Sequence, residues 1–227
     1  MWCLRYDGIF VHSPITIGGT VDRFTLTLGV AAALLHGAGY LVYNIQTKLG
    51  KSNPNTATWG IWVFLATLNA FSYRAMSGDT VIAFQFFTGS VACVLTFLYV
   101  LAIGKFAWPK REDWEVFALS ALAAIIWYVY RNATYANMIV AVTLALSMIP
   151  IFRDVWTNPR VEHPFAWWLW TAAFVVTTVN VVLRGRGQLP NLVLPIGGAV
   201  LHGAVAVLAR RTWWVRSLGD PVVERTP

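Results

Sequence analysis

Seven stretches of this chain are apolar over lengths that reach or approach a bilayer crossing. They run over residues 24–45, 57–73, 80–104, 114–130, 135–152, 164–183 and 190–209. A spanning helix needs about 17–25 largely apolar residues. Gly, Pro and charged residues break the pattern between them, in "GKSNPN" (50–55), "SGD" (77–79), "WPKRED" (108–113), "NPRVEHP" (158–164) and "RGRGQLP" (184–190). The fourth stretch is the weakest, because Glu115 stands at its start. The pattern predicts an all-α membrane protein with seven transmembrane helices. Residues 1–23 are expected as an extramembrane tail and 210–227 as a basic one. The opening 21 residues have no continuous apolar core, so no signal peptide is expected.

Composition strengthens this picture. Of 227 residues, 57% are hydrophobic and 12% charged, where a soluble domain carries about 25% charged residues. The net charge of +7 would suggest nucleic acid in a soluble protein. Here it divides unevenly between the two sides of a seven-span chain. Arg5, Arg23, Arg74, Arg131, Arg184 and Arg186 fall on the N-terminal side, and the other eleven Lys and Arg on the opposite side. Basic loops stay cytoplasmic, so the N-terminus is expected outside and the C-terminus inside. No nucleic-acid partner is expected; the bilayer is. Cys3 and Cys93 give neither a disulfide framework nor a metal spacing.

An internal repeat underlies the spans. A shift of 111 residues carries Trp59 onto Trp170, Thr67 onto Thr178 and Asn69 onto Asn180. Positions 59, 62, 66, 69 and 73 share one helical face. Spans 1–3 (24–104) and 5–7 (135–209) then form two like-oriented units joined by span 4 (105–134), a 3+1+3 plan. Parallel repeats of this kind place a substrate site near the midplane, at their interface. The two Asn residues are expected to face each other across it.

This plan, with "LNAFSYRAMSGD" (68–79) and "SMIPIF" (147–152), resembles the PQ-loop superfamily, and within it the SWEET and SemiSWEET sugar transporters. The resemblance covers roughly residues 24–209. The Pro-Gln pair of that family is absent, with Tyr43-Asn44 and Pro150-Ile151 at its places. The resemblance implies a seven-helix carrier of a sugar-like solute, and Pro150 as a hinge.

The candidate residues each have a second reading. Asn69 and Asn180 either bond a polar solute or hold helices together. Trp62 and Tyr73 could pack on a solute, with Thr67, Thr178 and Gln85 alongside. Trp59, Trp167, Trp168 and Trp170 fit interfacial anchoring better than stacking on a solute, because most lie near helix ends. Gly37, Gly39, Gly197 and Gly198 fit close helix packing. His36 and His202 are either neutral and bonded to neighbouring helices, or a pair that senses pH. Asp and Glu are absent from the span interiors, which argues against a carboxylate-driven proton pump. No Ser-His-Asp grouping, P-loop or metal set is present, so no enzyme, cofactor or metal is expected. The chain is therefore expected to be a facilitative carrier of a small neutral polar solute working by alternating access. The alternative is a non-transporting receptor or accessory protein of the same architecture. Homo-oligomerisation stays open.

Overall fold

The structure is a computed structural model that describes residues 19–52, 54, 56–103, 108 and 111–216. Its described residues form helices and no strand: α1 (Gly19–Lys48), α2 (Thr56–Ser77), α3 (Thr80–Ala102), α4 (Arg111–Tyr130), α5 (Ala133–Ser147), α6 (Ile149–Thr157), α7 (Pro164–Leu183) and α8 (Leu189–Arg216), with a 3-10 turn at Pro159–Val161 between α6 and α7. Among the described residues, five stretches are long and apolar enough to cross a membrane: Asp22–Lys48, Thr80–Ala102, Ala133–Thr157, Pro164–Leu183 and Leu189–Arg211. The helix α2 is not among them, and α4 contributes the shorter apolar segment Trp114–Tyr130. Outward faces are apolar: Leu34, Leu41, Val91, Leu95, Val200 and Val207 are all more than half exposed. That is the surface of a chain meant for hydrocarbon.

Six of the seven expected apolar stretches fall on one helix each, the third running past the end of α3 at Ala102, and the fifth is divided between α5 and α6; two further corrections come at the ends. Residues 19–23, expected in the tail, belong to α1, and 210–216 belong to α8. Asp22 in the first turn of α1 suits the positive end of the helix dipole. The rest of the N-terminal tail lies outside the described residues.

Local chemistry sets the boundaries. Asp79 caps α3 by accepting from Val81 N at 2.8 Å, and Asn132 caps α5 by accepting from Tyr135 N at 3.0 Å. Pro150 has no N–H and cannot continue α5, so the fifth stretch breaks at Met148 and restarts as α6. Two helices end in Schellman turns. Gly50 takes φ +69° after α1, with Lys51 N bonding Gln46 O and Gly50 N bonding Thr47 O. Gly185 takes φ +65° after α7, with Arg186 N on Val181 O and Gly185 N on Val182 O. Glycine carries that conformation without a Cβ penalty.

Six rods close into a ring. Helix α3 packs against both α1 and α2, α8 packs against α7 and the α5–α6 rod, α1 meets α7, and α2 meets α5. Helix α4 lies outside the ring, against α2 and α5. Small residues permit the closest approaches. A Cβ built at Gly39 of α1 would lie 2.5 Å from Trp170 Nε1, and one at Gly198 of α8 would lie 2.5 Å from the Phe174 ring. Gly37 is nearly as tight, 3.3 Å from Thr88, whereas nothing approaches Gly197 within 4 Å. Three of the four expected packing glycines thus have a steric reason.

Candidate functional site: an aromatic cavity inside the ring

A cavity of about 80 Å³ lies inside the ring. Its wall comes from both halves: Tyr40 on α1, Trp59, Trp62 and Asn69 on α2, Trp170 and Phe174 on α7. His36 and His202 also line it, as does Cys93 on α3. The repeat-related Trp59 and Trp170 pack on the same two rings of α1, with centroids 5.9 and 5.1 Å from Tyr40 and 5.3 and 5.7 Å from Tyr43. Such tilted and edge-on contacts suit aromatic quadrupoles. An apolar cavity of about 150 Å³ takes benzene. Half that volume suits a solute of a few heavy atoms, and a sugar would need the ring to open.

Polar groups on this wall are mostly engaged. Gln85 does not line the cavity; from behind the wall its Nε2 donates to His36 Nδ1 at 2.9 Å, and its carbonyl accepts from Thr177 Oγ1. An amide nitrogen only donates, so His36 Nδ1 is bare and Nε2 carries the proton of the neutral ring. His202 is the opposite tautomer: its Nδ1 lies 2.7 Å from Gly198 O, which only accepts, leaving Nε2 bare. Both rings pack against Phe174, with centroids at 5.4 and 5.0 Å. Trp170 Nε1 donates to His36 O at 3.2 Å. Three donors are left over, the His36 Nε2–H among them. Trp62 Nε1 is buried without a partner. Asn69 Oδ1 accepts from Asn137 Nδ2 at 2.9 Å, while no described residue bonds Asn69 Nδ2.

The expected amide pair does not form. Asn69 lines the cavity but Asn180 does not; it is buried on α7 beside Gly29 of α1, with neither amide atom bonded. The partner of Asn69 is Asn137 of α5, which also donates to Ser72 Oγ at 3.0 Å. Its signal in the sequence is a lone Asn within an apolar span. Thr67 bonds Ser90 of α3, and Thr178 bonds its own helix at Phe174 O, so neither threonine reaches the cavity. The tryptophans near helix ends were expected at the interface. Instead Trp59, Trp167 and Trp170 are buried, because their faces meet α1 and α8, and only Trp168 is exposed.

Tyr73 is also absent from the cavity wall. Its hydroxyl donates to Asn191 O at 2.7 Å. Asn191 lies four residues before Pro195, which sits inside α8 and cannot donate to it. Tyr73 therefore satisfies a carbonyl that proline orphaned.

Polar clusters join α1 to α7 at both ends of the ring. At one end Arg184 closes α7. Its Nε lies 2.6 Å from Asp79 Oδ2 and its Nη1 donates to Thr25 Oγ1 at 2.8 Å. At the other end Glu162, just before α7, accepts from Tyr43 Oη at 3.3 Å, Ser52 Oγ at 3.1 Å and Trp167 Nε1 at 3.1 Å. Burial pushes the Glu162 carboxyl up, the three donors pull it down, Asp154 adds a small push upward, and it settles at about 7. Beside it, His163 Nδ1 accepts from Gln46 Nε2 at 2.9 Å and from Phe165 N at 3.3 Å, capping α7. Burial, then the nearby Lys51, hold His163 below the usual histidine range. The segment "NPRVEHP" reads in the sequence as a mere breaker, yet it supplies this cluster. No group of three or more His, Cys, Asp or Glu able to hold a metal occurs among the described residues.

In comparisons with known proteins, no family model, no curated protein and no solved structure matches this chain.

Proposed function

We propose that this protein is a facilitative carrier for a small neutral solute that offers hydrogen-bond acceptors, built as two three-helix units joined by α4. The observation that carries the reading is the cavity inside a ring to which each unit contributes three rods, with the Trp62 and Asn69 N–H groups unspent at its wall. A buried unpaired donor costs roughly 1–3 kcal/mol. A bound hydroxyl or carbonyl oxygen recovers that cost, which gives weak and releasable binding. The packing order supports the 3+1+3 plan: in each unit the third helix contacts both the first and the second. That order and the resemblance to the PQ-loop superfamily favour the same reading, with seven crossings, the N-terminus outside and the C-terminus in the cytoplasm. The cavity volume points to solutes smaller than a sugar, or to opening on binding.

The test is uptake into proteoliposomes, using labelled or osmotic panels of small polyols, amides and sugars. Asn69→Leu and Trp62→Phe are expected to abolish saturable uptake of whichever solute is carried, and Asn180→Leu to leave it intact. Normal uptake by Asn69→Leu rejects the assigned site. A second reading, a non-transporting membrane protein, is favoured by one observation: Asn69 is also tied to Asn137 and could act as helix glue, a bond of about 0.6–2 kcal/mol. Absence of uptake across the panel supports it.

A further inference from the structure

A second space lies beside the first. It is a groove of about 240 Å³ between α2, α4 and the α5–α6 rod. Its polar rim includes Thr58, Glu115 and Arg153, all at the end of the ring that also holds Glu162. Its inner wall is apolar and includes Ile61, Leu119 and Leu146. One side chain lines both spaces, the Trp62 indole. The helix break falls at the same place. Met148, where α5 stops, lines the central cavity, while its neighbours Ser147 and Ile149, with Pro150, line the groove.

We infer that the groove is the mouth of the central cavity toward the Glu162 end, and that the Trp62 indole is the partition a solute must pass. The inference rests on the carrier reading and adds to it a route and a gate. Three features carry it. Trp62 is the one residue that lines both spaces. Its ring N–H is buried without a partner, so no hydrogen bond ties the indole to the wall. The rod facing Trp62 is interrupted by Pro150, so the opposite wall lacks the continuous bonding of an unbroken helix. An acceptor-bearing solute leaving the cavity meets the Trp62 N–H on its way. The polar rim then replaces those bonds with water.

Cys93 provides a reporter, because its thiol side chain lines the central cavity. The full chain carrying Cys3→Ser, in nanodiscs at mildly alkaline pH, is exposed to methyl methanethiosulfonate, and modification of Cys93 is followed by intact mass. Thiol modification tracks access. Trp62→Ala is expected to speed labelling on the order of tenfold, since it removes the partition. Adding Leu119→Trp, which fills the groove from α4, is expected to return the rate to that of the parent. Trp62→Phe, a milder change, is expected to label at an intermediate rate and carries the test if Trp62→Ala does not fold. Labelling of both Trp62 variants at the parent rate overturns the inference. So does a gain that Leu119→Trp fails to reverse, which would place the entrance elsewhere. Labelling needs no transport, so fast, groove-dependent labelling without uptake of any solute would sink the carrier reading and leave the route standing.

Discussion

Tyr73 and Pro195 should behave as one unit, although they lie on different helices of different halves. Pro195 deprives Asn191 O of its helical donor, and Tyr73 Oη supplies one at 2.7 Å. Both Tyr73 and Asn191 are buried, Tyr73 fully and Asn191 nearly so. Tyr73→Phe keeps the ring, and with it the packing on Phe86 at 4.3 Å, but leaves a buried carbonyl without a donor. That should cost about 1–3 kcal/mol. In a Pro195→Ala background the alanine's backbone N–H can bond Asn191 O. The same Tyr73→Phe change should then cost well under about 1 kcal/mol, since the carbonyl keeps a partner. The coupling energy is therefore expected at roughly 1–2 kcal/mol, above the few tenths within which independent sites add. The assay is unfolding in mixed micelles at increasing SDS fraction, followed by far-UV circular dichroism for the parent, both single variants and the double variant. Equal costs of Tyr73→Phe in the parent and in the Pro195→Ala background would refute the reasoning, and so would a Tyr73→Phe protein as stable as its parent.

The remaining predictions concern the two ends of the α1–α7 seam and its middle. Glu162, held at about 7 instead of the usual 4.5, binds its proton more tightly in the folded chain. Its contribution to stability should therefore fall by up to about 3 kcal/mol as pH rises from about 4.5 to 7, then stay level; its remaining solvent contact reduces that figure. The neighbouring His163, shifted the opposite way, gives stability that rises with pH at the acidic side. The Glu162 contribution is therefore read as the difference between parent and Glu162→Gln melting points from pH 5 to 8.5, and parallel curves would exclude it. At the other end, Asp79→Asn leaves the half-buried Arg184 guanidinium with a neutral partner; unfolding in mixed micelles should register a loss of about 1–3 kcal/mol, with Asp79→Ala worse because it also removes the α3 cap. In the middle, Gly39→Ala forces a methyl to within 2.5 Å of Trp170 and should destabilise by about 1–3 kcal/mol in the same titration. Gly197→Ala, with open space around it, should cost nothing comparable.

The helices were legible because hydrocarbon-facing rods demand long apolar runs, and each run fell on one helix except the fifth, which is divided between α5 and α6. The break at Pro150 and the helix starts at Asp79 and Asn132 are local events set by single residues, although the apolar pattern reads 135–152 as one span. What the pattern lacked was azimuth. Distance from a helix end placed Trp59, Trp167 and Trp170 near the interface, but which face each occupied depended on α1 and α8 arriving to cover them. The repeat aligned Asn69 with Asn180 correctly as letters. Yet where α2 meets α5 the facing residue is Asn137, and where α7 correspondingly meets α1 it is Gly29. Equivalent positions of a sequence repeat can face different residues, because the helices that cover them differ in sequence. Glu162 and His163 are hidden in the sequence for a related reason. An acid and a histidine in a Pro-flanked loop read as solvated, and only the return of that loop beneath Tyr43 and Ser52 draws the Glu162 carboxyl away from water.

Under the carrier reading, the two polar clusters acquire a shared logic. Each ties a residue at one end of α7, in the second unit, to residues of the first: Arg184 to Asp79 and Thr25, Glu162 to Tyr43 and Ser52. They sit at opposite ends of one seam, so a rocking of one unit on the other lengthens one set as it compresses the other. A charge-assisted pair is roughly twice as strong as a neutral bond. The Arg184 end should therefore hold firmly, while the Glu162 end depends on whether its carboxyl is charged. With the proton on, one oxygen becomes a donor; with it off, three neutral donors converge on a buried anion. Because that carboxyl sits at about 7, the balance between the ends should change within the physiological range, and the groove beside Trp62 opens at the end where that change occurs.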